Sequence, residues 1–152
     1  MKKQDTALMA MDQTIKMQYP TKETILAQTP IINPKTIAIT NIWKKEALPN
    51  WNKDSQFTKF CKLQMLIICI SETEDKREPI IRLANTNALF RKNIILLDIE
   101  KLSIISTLHE IAHYLFGPSE LTACRWSIHL FKTCFPKQFE KLDWKGHLLI
   151  KQ

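Results

Sequence analysis

Between Ile104 and Cys134 the sequence spells two helices with one break between them, and no other stretch limits the fold as tightly. Ile104, Ile105, Leu108, Ile111, Ala112, Leu115 and Phe116 make the first segment apolar nearly all round, the mark of a core helix. Gly117-Pro118 ends it. The chain has only two glycines, and one stands where a helix-closing residue is needed. Proline then suits the first turn of a following helix. That second helix is expected from Pro118 to about Cys134, where Pro136 stops it. Glu120, Ala123, Cys124 and Ser127 share one of its faces at helical spacing. Apart from Glu120 they are small, so the two helices can approach closely.

The first helix carries His109-Glu110-Ile111-Ala112-His113. Residues four apart project from the same helical face, so His109 and His113 can hold one Zn²⁺ with Glu110 beside it as general base. Burying two histidines and a glutamate in an apolar helix is costly unless they are paired or bind a metal, which weighs against unrelated core histidines. A zinc site needs a third protein ligand, and catalysis needs a fourth position open to water. Glu120 is the candidate third ligand; the competing reading is an exposed carboxylate favouring a helix N-terminus. Cys124 lies on the same face, as a support for a ligand or as a ligand itself.

The stretch HEIAHYLFGPSELTACRWSIHLF, His109 to Phe131, resembles the ImmA/IrrE type of zinc metallopeptidase. That pattern is HExxH, a turn, then Glu-x-x-Ala followed by a polar residue, an aromatic, a small residue and an aliphatic pair. Here it reads Glu120-x-x-Ala123-Cys124-x-Trp126-Ser127-x-x-Leu130-Phe131. The resemblance covers about a fifth of the chain and implies zinc ligands at His109, His113 and Glu120, with Glu110 as the base. It also implies an α+β, zincin-like fold: the HExxH helix packed on a small mixed sheet, with a second, ligand-bearing helix. Cys124 stands where such proteins usually have Asp or Asn. Their substrates suggest a regulator protein in a bacterium or a mobile element.

Before the helix, Ile80-Ile81-Arg82-Leu83 and Asn93-Ile94-Ile95-Leu96-Leu97 are β-rich runs, with Asn85-Thr86-Asn87 as a turn signal. They are read as a loose hairpin whose edge can take an extended peptide by strand addition. From Asp54 to about Ser71 an apolar segment is read as a helix capped by Asp54, and Ser71 to Glu78 as its charged end. Residues 1–50, with Pro20, Pro30, Pro34 and Pro49, are read as an extended or partly ordered arm. The runs Thr24–Leu26 and Ile37–Ile39 would be short strands or anchors, and 51–152 the metallopeptidase domain. A short helix is expected over Pro136 to Leu142 and a turn at Trp144-Lys145-Gly146; His129 and His147 are taken as non-ligands.

Composition excludes other classes. With 45% hydrophobic residues in 152 the chain can bury a sizeable core, and it has no Walker or GxGxxG pattern. No apolar run is long enough to span a membrane and none follows Met1-Lys2-Lys3-Gln4-Asp5, so a cytoplasmic protein is expected. Cys61, Cys69, Cys124 and Cys134 show no CxxC spacing and are read as reduced thiols. The net charge of +7 is scattered, with no basic block longer than pairs such as Lys44-Lys45 and Arg91-Lys92, so nucleic-acid binding is not supported. The expected function is a zinc-dependent metallopeptidase acting on a protein or peptide. The alternative is a non-catalytic zincin-like protein that docks a partner.

Overall fold

The computed structural model describes residues 20–145 and the backbone of 148–151. The chain is α+β. Six helices are described, α1 (Lys22–Ala27), α2 (Pro34–Ala47), α3 (Gln56–Thr73), α4 (Ile104–Phe116), α5 (Glu120–Cys134) and α6 (Pro136–Glu140), with a 3₁₀ segment at Leu48–Lys53. The strands are β1 (Ile80–Ala84), β2 (Ala88–Phe90), β3 (Ile94–Asp98), β4 (Leu142–Lys145) and β5 (Leu148–Lys151). None of the described helices is long and apolar enough to cross a membrane.

The three-stranded sheet runs β1-β3-β2. The two apolar runs expected to form a hairpin are instead parallel neighbours, Ile80 opposite Ile94 and Leu83 opposite Leu97. The reason lies in β3: Ile95 and Leu97 are fully buried and Ile94 and Leu96 partly so. A strand apolar on both faces belongs at the centre of a sheet, where it has two partners. The bend at Asn85-Thr86-Asn87 carries the chain past β3 to its other side. The short β2 pairs there in antiparallel fashion, Ala88 with Leu96 and Phe90 with Ile94. The tight turn between them places Arg91 and Lys92 at φ 53° and 66°. Two successive left-handed residues match the right-handed twist of a hairpin, but the favoured residues there are Asn and Gly. Side chains with a Cβ pay roughly 1–2 kcal/mol each for that backbone.

Helix α3 forms as expected, capped one residue later than foreseen: the Ser55 hydroxyl accepts the Thr58 N–H. The reading of residues 1–50 as an extended arm does not hold over its described part. The runs Thr24–Leu26 and Ile37–Ile39 lie in α1 and α2 rather than in strands. The prolines flank these helices and do not interrupt them. Pro34 occupies the first turn of α2, where its missing N–H has no cost, and Asn33 caps it by accepting from Lys35 N. Trp43 and Ala47 of α2 enter the same core as Leu63, Ile67, Ile95, Leu108 and Phe135, so residues 34–47 fold with the region after residue 51. Trp43 also donates from its indole nitrogen to Lys62 O at 2.7 Å. Residues 1–19 lie outside the described part.

At the C-terminal end α6 stops at Glu140, and Trp144 and Lys145 belong to β4, paired with β5, rather than to a turn. Gly146 and His147 lie outside the described residues.

Candidate metal centre

Helix α4 starts where Ser103 caps it, its hydroxyl accepting from Ser106 N at 3.1 Å while Thr107 bonds back to Ser103 O at 2.7 Å. Its core face is Ile104, Leu108, Ile111 and Ala112, all buried, packed against α3, the sheet and α5. That leaves His109 and His113 on the partly exposed face. The helix ends at Gly117, whose N–H donates to His113 O and whose φ of 103° is a glycine conformation. Pro118 lies outside the helices, Ser119 caps α5 by accepting from Thr122 N, and Glu120 is the first residue of α5. Ala123, Cys124 and Ser127 are buried against α4, as their size allows.

The two imidazoles and the Glu120 carboxylate therefore meet. Glu120 Oε1 is 2.6 Å from His113 Nε2 and 3.3 Å from His109 Nε2, and the two rings stand 4.8 Å apart, edge to face. Nδ1–H of His113 donates to the Gly117 carbonyl at 2.9 Å, which fixes the ring and turns Nε2 toward Glu120. Zinc bonds of about 2.0–2.1 Å in a tetrahedron put neighbouring donors about 3.3 Å apart. The His109–Glu120 spacing already has that value. The shorter His113–Glu120 contact is that of a charge-assisted hydrogen bond with a proton between the two atoms.

Cys124 lies behind this group. Its sulfur is 3.9 Å from His109 Nδ1, the nitrogen facing away from His113 and Glu120 Oε1, and 4.0 Å from Glu120 Oε2. His109, Glu120 and Cys124 together offer three donors within 4.8 Å of one another, a group that omits His113. In the other set, His109, His113 and Glu120, both Nε2 atoms contact one carboxylate oxygen. Burial and the Glu120 charge push the Cys124 thiol up to about 12, so in this form it is a neutral thiol supporting His109.

Electrostatics follow from the same packing. The hydrogen bonds from His109 and then His113 hold Glu120 well below the usual carboxylate range. The hydrogen bond to Glu120 raises His113, against the opposing effect of burial. Glu110, only 7% exposed, is raised by burial, with His109 and His113 pulling the other way. It lines the same open cleft, of about 1080 Å³, as His109, His113 and Glu120.

His129, read as a non-ligand, has a structural post, as do Arg125 and Tyr114. His129 Nε2 donates to Ile25 O at 3.2 Å and Arg125 to Thr24 O at 2.8 Å; both fasten α1 to α5, away from the cluster. Tyr114 bonds to the Arg77 carbonyl. Sequence reasoning missed two features. One is the Gly117 carbonyl that orients His113; the other is the basic cleft wall of Lys76, Arg91 and Lys92. The pair Arg91-Lys92 was visible as a string, but nothing in the string says that it faces the HExxH helix.

Comparison with protein-family models, with curated proteins and with solved structures gives no match to this chain.

Proposed function

We propose that the chain is a zinc-dependent metallopeptidase of the ImmA/IrrE-like, zincin kind, hydrolysing a peptide bond in a protein substrate. One observation carries the reading: His109 Nε2 and His113 Nε2 converge on Glu120 Oε1 at the wall of an open cleft. Two imidazoles and a carboxylate are a common donor set of hydrolytic zinc sites, whereas structural sites are usually closed by four protein ligands, often thiolates. In this reading His109, His113 and Glu120 hold the ion. Zinc bound there supplies a Lewis acid for the scissile carbonyl and lowers the pKa of water to about 7.

The chain's own groups do the rest. Gly117 O keeps His113 in the tautomer with Nε2 free to bind. Glu110 is buried beside the ligands, and its raised pKa brings it toward neutrality, where a proton acceptor and donor works best. It takes the proton of the attacking water and returns it to the leaving amine. The edge of β2, whose Ala88 and Leu89 line the cleft, offers unpaired backbone groups to an extended substrate.

The test is Glu110→Gln, which keeps size and removes the base. Zinc content should stay at wild-type level while cleavage falls roughly 10²- to 10⁴-fold. Wild-type turnover by this variant would refute the mechanism. The second reading, a non-catalytic protein with a structural zinc, draws on the nearness of Cys124 to His109 and Glu120. It requires Cys124→Ser to lose the metal.

A further inference from the structure

The cleft that holds the His–Glu cluster is also lined by three basic residues. Lys76 comes from the segment after α3, and Arg91 and Lys92 from the β2–β3 turn. All three are exposed, and among the described residues none of them forms an ion pair. Two of the three are steadied by rings instead. The Lys76 ammonium lies 5.4 Å from the centre of the Tyr114 ring and the Arg91 guanidinium 5.0 Å from that of Phe90. The acidic residues lining the cleft are Glu110 and Glu120, both at the cluster. Arg91 and Lys92 also hold a turn whose backbone favours Asn-Gly, so their side chains are kept where smaller residues would relax the chain.

We propose that this cleft selects peptides bearing Asp or Glu side chains next to the segment lying along β2. The inference rests on the preceding reading of the cleft as a peptide site and names its substrate class. Three cations without ion-pair partners among the described residues attract carboxylates into the cleft, and any zinc held by the cluster adds positive charge rather than offsetting it. A peptide is favoured over a nucleic acid because the three charges line one cleft beside a short edge strand. Among the described residues they form no continuous stripe, and the rings beside them, Tyr114 and Phe90, lie against Lys76 and Arg91.

The experiment is fluorescence anisotropy with zinc-loaded Glu110→Gln protein and three degenerate dye-labelled peptide pools. The pools share neutral positions and differ only in fixed Asp/Glu, Ser/Gln or Lys/Arg positions. Exposed ion pairs are each worth a few-fold in affinity, so the acidic pool should bind roughly tenfold more tightly than the neutral one. That preference should shrink with added salt. It should disappear in the variant combining Lys76→Gln, Arg91→Gln and Lys92→Gln with zinc content unchanged. Lys76→Gln alone, outside the strained turn, should remove part of it. Equal binding of acidic and neutral pools, or a preference surviving these substitutions, overturns the inference. Tighter binding of a single-stranded oligonucleotide than of the acidic pool overturns it as well. Acidic preference in binding, with no cleavage of the acidic pool by the wild-type protein, leaves the selectivity standing and removes the hydrolase reading.

Discussion

Replacing Glu120 with alanine tests the metal centre most directly, because this carboxylate touches both imidazoles. Its loss leaves His109 and His113, with Cys124 3.9 Å from His109 Nδ1. Removing a group that merely orients a ligand costs roughly 10–100-fold in metal affinity, so losing a ligand should cost at least about 100-fold. The consequence for stability follows from mass action. At free zinc of about 100 times the wild-type dissociation constant, binding stabilises the native state by about 2.7 kcal/mol. The variant, at about its own dissociation constant, gains only about 0.4 kcal/mol. The difference of about 2.3 kcal/mol corresponds to a zinc-induced rise in Tm about 5–9 °C smaller than in the wild type for a chain of this size. Metal removal supplies the control. Without metal the variant loses the partly exposed Glu120–His113 pair and a favourable charge in the first turn of α5, each worth at most about 1 kcal/mol. Thermal unfolding of both proteins, with zinc and with chelator, gives all four values. An equal zinc-induced rise in Tm in both refutes Glu120 as a ligand. If Cys124→Ser loses the rise and Glu120→Ala keeps it, the third ligand is Cys124.

In the metal-free protein the Glu120–His113 pair should stabilise the fold over a bounded pH window. The lowered Glu120 makes its contribution above about pH 4.3 and loses it as pH falls further; the raised His113 makes its contribution below about pH 6.5 and loses it as pH rises through its higher folded value. Chelated protein should therefore show a stability contribution from the pair between those limits that Glu120→Ala lacks, and zinc loading near pH 6 should release protons, read by calorimetry in buffers of different ionisation enthalpy. A difference between the two proteins that stays the same inside this window and well beyond both of its limits would refute the coupling. Alkylation of native protein at about pH 8 should label the exposed Cys61 first and spare Cys124 and Cys134, whose thiols are buried and raised to about 12 and about 11, until the chain unfolds; mass spectrometry of the digest reads the order. Leu108→Ala, at a fully buried site of α4, should lower stability by about 2–5 kcal/mol by denaturant unfolding while the folded fraction still binds zinc.

The local chemistry of this protein was written in the sequence. Apolar spacing and the Gly117 stop are short-range signals, and they specify α4, α5 and the four-residue spacing of His109 and His113, while the Ser103 and Ser119 caps came only with the structure. Even the small face of Ala123, Cys124 and Ser127 foretold close packing. The two helices described between residues 20 and 50 were not legible. One is only six residues long, and the other is rich in β-branched residues that favour helix only when Trp43 and Ala47 are buried against α3 and α5. Strand pairing was not legible either, because a run such as Ile94–Leu97 states that it is buried and not which neighbour buries it. Its central place, with β1 parallel on one side and β2 antiparallel on the other, is a property of the assembled core. The same holds at the candidate site. Sequence named His109, Glu110, His113 and Glu120; only the tertiary structure put Cys124 beside His109, the Gly117 carbonyl on His113, and Lys76, Arg91 and Lys92 in the same cleft. Spacing along one helix is fixed by backbone geometry, whereas distances between elements are fixed by the packing of every side chain between them.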